Sequence, residues 1–155
     1  LNNLAAPHVK YNQHLFDIIE VLEQNNLSVV PVLDENEKYL GVITGRKLLY
    51  SIANSATIQS PGGVIILEMH NNDYSLTEIA SIVESNNTKI LSSYLISKPN
   101  STNIEVTIKL NKQDVSTIIK DFERHQYNVS ASYKDVKTDD NLSERYESLM
   151  RFLNP

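Results

Sequence analysis

The stretch 103–110 sets the tightest limit on the fold. Its apolar residues Ile104, Val106, Ile108 and Leu110 alternate strictly with Glu105, Thr107 and Lys109. Successive side chains of a strand point to opposite faces, so this segment predicts a sheet buried on one side and wet on the other. Such a sheet needs helices on its buried side, and the neighbouring sequence supplies two. Leu76, Ile79, Ala80 and Val83 recur at helical spacing, as do Val115, Ile118, Ile119 and Phe122, the latter after Asn111 as expected cap. Ser75 and Glu78 have the spacing of a capping box, with Tyr74 and Ile79 placed as a hydrophobic staple. Residues 64–69 and 89–97 read as further strands, and Val129, Ala131 and Tyr133 as a last one. The order β-α-β-β-α-β is the split βαβ pattern.

A separate pattern precedes it. Leu15, Ile18, Ile19 and Leu22 form one helical stripe, with Asn12 expected as its cap. The β-branched run 27–33, a charged turn at 34–38 and the run 39–44 predict a hairpin. Helical spacing resumes at Leu48, Leu49, Ile52 and Ala53, and residues 7–10 supply a short leading strand, giving β-α-β-β-α. The small, polar stretch 55–62, ending in Pro61 and Gly62, reads as a linker between a module at 7–54 and one at 63–134. A C-terminal helix is expected over 141–154, with Leu142, Tyr146, Leu149 and Leu153 on one stripe. The fold class is therefore α+β.

Composition narrows the function. A net charge of -5 and a pI near 5.3 argue against nucleic acid, whose phosphates demand a basic footprint, and against an anionic membrane surface. No apolar run approaches the roughly 20 residues that span a bilayer, and no signal-peptide pattern opens the chain. The absence of cysteine fits a reducing compartment, and a cytoplasmic location is expected. The chain opens on Leu1, so it reads as a piece of something longer. His8 and His14, or His70 and Asp73, lack the spacing of a zinc set, and no metal is expected. No nucleophile stands in an activating motif and Asp139-Asp140 reads as a solvated pair, so no catalytic residue and no enzyme are expected.

The hairpin carries the residues Val30-Pro31-Val32-Leu33-Asp34 and Leu40-Gly41-Val42-Ile43-Thr44. Over about residues 7–54 this resembles a CBS motif, half of a pair that binds adenine nucleotides. The second module resembles an ACT domain, a ferredoxin-like metabolite-binding module, by element order and length. A CBS pair followed by an ACT domain is the layout of acetoin-utilisation-type regulatory proteins. The resemblance implies a regulatory small-molecule sensor, with the first CBS motif lying outside the chain and bound AMP, ADP or ATP as the candidate ligand.

Thr44 stands where the second hairpin strand turns into a helix, and free N–H groups at such a turn favour an anion. Arg46 and Lys47 add two cations. The CBS resemblance implies that Thr44 contacts phosphate or ribose, and that an acidic residue accepts the ribose hydroxyls where this chain has Lys47. Lysine has donors only, so that contact is lost. Two readings stay open: a nucleotide held through phosphate by Thr44, Arg46 and Lys47 with adenine against Val29, Val30 and Pro31, or a site without a ligand in which Thr44 merely caps. The ACT-like ligand loop falls on Asn71, Asn72, Asp73 and Tyr74. The family's Pro and Gly are missing there, and Tyr74 replaces the glycine that lets a ligand approach the backbone. A helix start is the simpler account of that loop. Modules of about 50 and 70 residues bury little surface alone, so a homodimer is expected, with like modules meeting. The alternative to a sensor is a structural or dimerisation adaptor whose sites have degenerated.

Overall fold

The computed structural model describes residues 6–97, 101–134 and Met150. The chain divides into two units, Leu1–Gln59 and Ser60–Pro155. In the first, β1 (Val9–Lys10) pairs in parallel with β2 (Val29–Leu33), which pairs antiparallel with β3 (Tyr39–Thr44). Helix α1 (Leu15–Gln24) crosses between the parallel strands, and α2 (Gly45–Ala53) follows β3 directly. Ile18 and Leu22 from α1 and Leu48 from α2 bury against Val9 and Val30 of the sheet. The hairpin closes through Asp34, whose Oδ1 accepts the N–H groups of Asn36 and Lys38, both at 2.8 Å. The expected β-α-β-β-α order is present.

Two local expectations give way. Helix α1 is capped by His14, not Asn12: its Nδ1 accepts the Phe16 N–H at 3.2 Å, and Asp17 returns to the His14 N–H at 3.0 Å. The expected linker is largely structured. Residues Ala56–Gln59 form a short helix, α3, and Gln59 Nε2 donates to Ala53 O at 2.7 Å. Gly63 joins the second unit's sheet, its carbonyl accepting the Leu110 N–H at 2.9 Å and its N–H donating to Lys112 O at 2.8 Å. A Cβ on Gly62 would fall within the Leu110 carbonyl, and one on Gly63 would lie 2.6 Å from Val115 Cγ1. These glycines permit a close backbone approach and do not provide slack.

The second unit contains β4 (Val64–His70), α4 (Leu76–Ser85), β5 (Ile90–Ser97), β6 (Asn103–Leu110), α5 (Ser116–Arg124) and β7 (Asn128–Tyr133). Its strands run antiparallel in the order β5-β6-β4-β7, the ferredoxin-like arrangement. Ile65 and Leu67 of β4 and the four alternating apolar residues of β6 bury against Ile79, Ile82 and Val83 of α4 and Ile118 and Phe122 of α5. The helices are clamped to each other where Asn86 Nδ2 donates to Asp121 Oδ2 at 2.8 Å.

Helix ends again depart in detail. Ser75 caps α4, accepting the Glu78 N–H at 3.3 Å, but the Glu78 carboxylate turns away and accepts the Tyr127 hydroxyl at 3.0 Å. Asn111 does not cap α5: its Oδ1 accepts the Lys89 N–H at 2.8 Å and ties the ends of β5 and β6 together. The N-cap position falls on Val115, which has no capping side chain, and Asp114 just before it accepts the Ser116 N–H and hydroxyl, which holds its carboxyl below the ordinary value. Helices α1, α4 and α5 are each followed by a left-handed residue, Asn26, Asn87 and Gln126, with φ of 53°, 51° and 66°. The expected C-terminal helix lies outside the described residues except for Met150, which is helical and exposed.

Candidate functional site

Strand β3 ends and α2 begins without an intervening loop, so Thr44 occupies both. Its backbone is still extended, and its Oγ1 accepts the Lys47 N–H at 3.1 Å. The Gly45 N–H donates back to Ser28 O at 3.1 Å. Two of the first-turn donors are thus engaged, and the cap that suits an anion is already partly occupied by the chain itself.

The side chains around this turn divide by strand pleat. Val29 pairs with Thr44 and Pro31 with Val42, so these four share the sheet face away from the helices. Val42 is 55% exposed there and Val29 41%. Val30 lies between them, points to the opposite face and is fully buried in the core with Val9 and Ile18. Val30 therefore cannot touch a ligand bound beside Thr44, and this part of the expected adenine contact is corrected. Val29 and Pro31 remain, joined by Val42.

Arg46 and Lys47 are both exposed on the first turn of α2. Lys47 Nζ sits 5.4 Å from the centre of the Tyr50 ring, a cation–π contact one helical turn along. Tyr50 is a residue the motif reading passed over, although its i, i+3 spacing from Lys47 was the available signal. An open groove of about 330 Å³ lies at the other end of the hairpin, lined by Tyr11, Asp34, Glu35, Asn36 and Leu40. Two carboxylates on its wall make it a poor place for phosphate.

In the second unit Asn71–Asp73 forms a 3₁₀ turn capped by His70, whose Nδ1 accepts the Asn72 N–H at 3.3 Å. The Asn71 N–H donates to Thr102 O at 2.9 Å and the Tyr74 N–H to Asn71 O at 3.4 Å. Asn71, Asn72 and Asp73 are exposed, while Tyr74 packs on the core beside Ile79. Three of the loop's four backbone N–H groups are thus engaged within the chain. No group of three His, Cys, Asp or Glu residues that could hold a metal occurs among the described residues. No helix among them is long and apolar enough to cross a membrane.

Residues 5–54 match the family model of the CBS domain. The chain carries a CBS domain. CBS domains are regulatory, ligand-sensing modules rather than catalysts, and the β-α-β-β-α unit with Thr44 at its strand-to-helix turn is that domain. No curated protein matches the chain significantly. Among solved structures it is similar to protein BT0572 from Bacteroides thetaiotaomicron, with 12% identity over 77% of this chain and 84% of that one and a TM-score of 0.34.

Proposed function

We propose that this is a cytoplasmic regulatory module that senses an adenine nucleotide at the CBS half-site, gripping it through phosphate. The observation that carries the reading is the joining of three features at one turn. Thr44 starts α2, Arg46 and Lys47 place two exposed cations beside that start, and the apolar side chains of Val29, Pro31 and Val42 lie on the adjoining sheet face. Helix N-termini attract anions, and two cations reinforce that field. An adenine ring would rest on the apolar face. Lys47 offers no acceptor for ribose hydroxyls, so affinity would come from phosphate. The ferredoxin-like unit would act as an ACT-like domain for dimerisation or metabolite sensing, and a homodimer would complete the half-site.

Thermal unfolding with AMP, ADP, ATP and adenosine tests this. A ligand at 100 times its dissociation constant stabilises the folded state by about 2.7 kcal/mol. The expected result is a rise in melting temperature with the phosphorylated compounds and none with adenosine, reduced in Arg46→Ala. Equal shifts with adenosine and AMP would refute the phosphate grip.

A second reading, a ligand-free structural or dimerisation adaptor, is favoured by one specific fact. The residues that would serve ligands are already engaged within the chain: Lys47 on Tyr50, and the backbone of 71–74 with its own neighbours. No shift with any nucleotide or amino acid would select it.

A further inference from the structure

The chain has four histidines, and their ring nitrogens do two different jobs. Nδ1 of His8 lies 3.0 Å from the Ala6 carbonyl oxygen, and Nδ1 of His125 lies 2.7 Å from that of Asp121. A carbonyl only accepts, so these two rings carry a proton on Nδ1, and a further proton on Nε2 leaves the bond standing. His14 is the reverse case. Its Nδ1 faces a donor, the Phe16 N–H at 3.2 Å, so its ring is neutral with the proton on Nε2. His14 is also the cap of α1, with Asp17 Oδ2 on its backbone N–H at 3.0 Å and its ring edge-on to Phe16 at 4.8 Å between centres. Serine, threonine, asparagine and aspartate are the usual acceptors at such a position, and none of them becomes a cation.

We propose that His14 makes the start of α1 an acid-released latch of the CBS domain, closed by the neutral imidazole and opened by the imidazolium. Protonation sets one N–H against another and puts a positive charge at the positive end of a helix. On α1 itself Asp17 is the carboxylate that favours the cation, but its Oδ2 already accepts the His14 backbone N–H; Glu20 and Glu23 lie further along the helix. The elements packed against α1 are β1, β2 and α2. Strand β2 has no titratable side chain, β1 has Lys10, and α2 has Arg46, Lys47 and Tyr50. The three cations act in the same direction as the helix end. The capping bond exists only with the neutral ring, so its contribution is present above the range in which histidine takes up a proton, about pH 6.5, and is lost as pH falls through it. This assignment is independent of what the CBS domain binds.

The full chain and its His14→Asn and His14→Ala variants are unfolded in urea at about pH 7.5 and about pH 5.5, on either side of the histidine range. His70, which accepts the Asn72 N–H at 3.3 Å, is present in all three, so differences between them belong to His14. Asparagine caps at both pH values and alanine at neither. The expected result is a larger fall in urea midpoint for the parent than for either variant. The parent should lie near the asparagine variant at the higher pH and near the alanine variant at the lower. Nitrogen-15 shifts of the His14 ring at about pH 7.5 give a second reading, with the proton expected on Nε2. Equal falls in the parent and the asparagine variant would overturn the proposal, as would a proton on Nδ1 of His14 at the higher pH.

Discussion

Gly62→Ala separates two accounts of the same residue by the sign of its effect. Were Gly62 part of a slack linker, alanine would restrict the unfolded chain and stabilise the protein by about 0.4–1 kcal/mol. The structure demands the opposite, because the new Cβ would occupy the Leu110 carbonyl and approach its carbon to 2.9 Å. Neither atom belongs to a flexible side chain, so the start of β4 must pull away from the end of β6. Three hydrogen bonds lie on that seam: Leu110 N–H to Gly63 O at 2.9 Å, Gly63 N–H to Lys112 O at 2.8 Å, and Lys109 Nζ to Gly62 O at 2.8 Å. At about 1 kcal/mol for each neutral bond and about 1.5 kcal/mol or more for the charged one, losing them costs roughly 3–4 kcal/mol. For a domain of this size each kcal/mol moves the melting point by about 4–8 °C, so a fall of at least about 12 °C is expected. Thermal and urea unfolding followed by circular dichroism measures it. A melting point equal to or above that of the parent would refute the close-approach account.

Gln126 holds a left-handed conformation at φ 66°. Gln126→Gly removes a strain of about 1–2 kcal/mol against an entropic penalty of about 0.5–1 kcal/mol, so a net gain of roughly 0.5–1 kcal/mol should appear as a higher urea midpoint. Burial, and then the hydrogen bond to Glu78, push the Tyr127 hydroxyl up to about 12 from 10.0. The folded state therefore holds this proton more tightly than the unfolded state. Its contribution is fully present below pH 10 and is lost as pH rises from about 10 to about 12. Denaturation titrations should show a loss of stability in that window that is smaller in Tyr127→Phe; identical profiles would contradict it.

Helix ends were the least legible part of the chain. Asn12 and Asn111 are good capping residues by type, yet His14 caps α1, and α5 starts at Val115 with no side-chain cap. Capping depends on where the backbone leaves the preceding strand, and Asn111 is instead drawn to Lys89 by the β5–β6 pairing. The candidate nucleotide site was half legible. Thr44 at a strand-to-helix junction, with two cations after it, follows from the order of residues alone. Which of Val29, Val30 and Pro31 face outward does not, because a continuous apolar run has no alternation to read. Pairing with β3 settles it, turning Val29 and Pro31 to one side and Val30 into the core.

By itself, the sequence determined the order and type of the main strands and helices, α3 and the 3₁₀ turn at Asn71–Asp73 excepted, since hydrophobic periods of two and about 3.6 are properties of neighbouring residues. It also determined the one-sided sheet, from the alternation of 104–110. Tertiary structure decided what depends on distant segments meeting: the strand order β5-β6-β4-β7 and the glycines wedged against Leu110 and Val115. A close approach between residues nearly fifty positions apart leaves no local pattern, so Gly62 and Gly63 look the same in sequence whether they give freedom or make room.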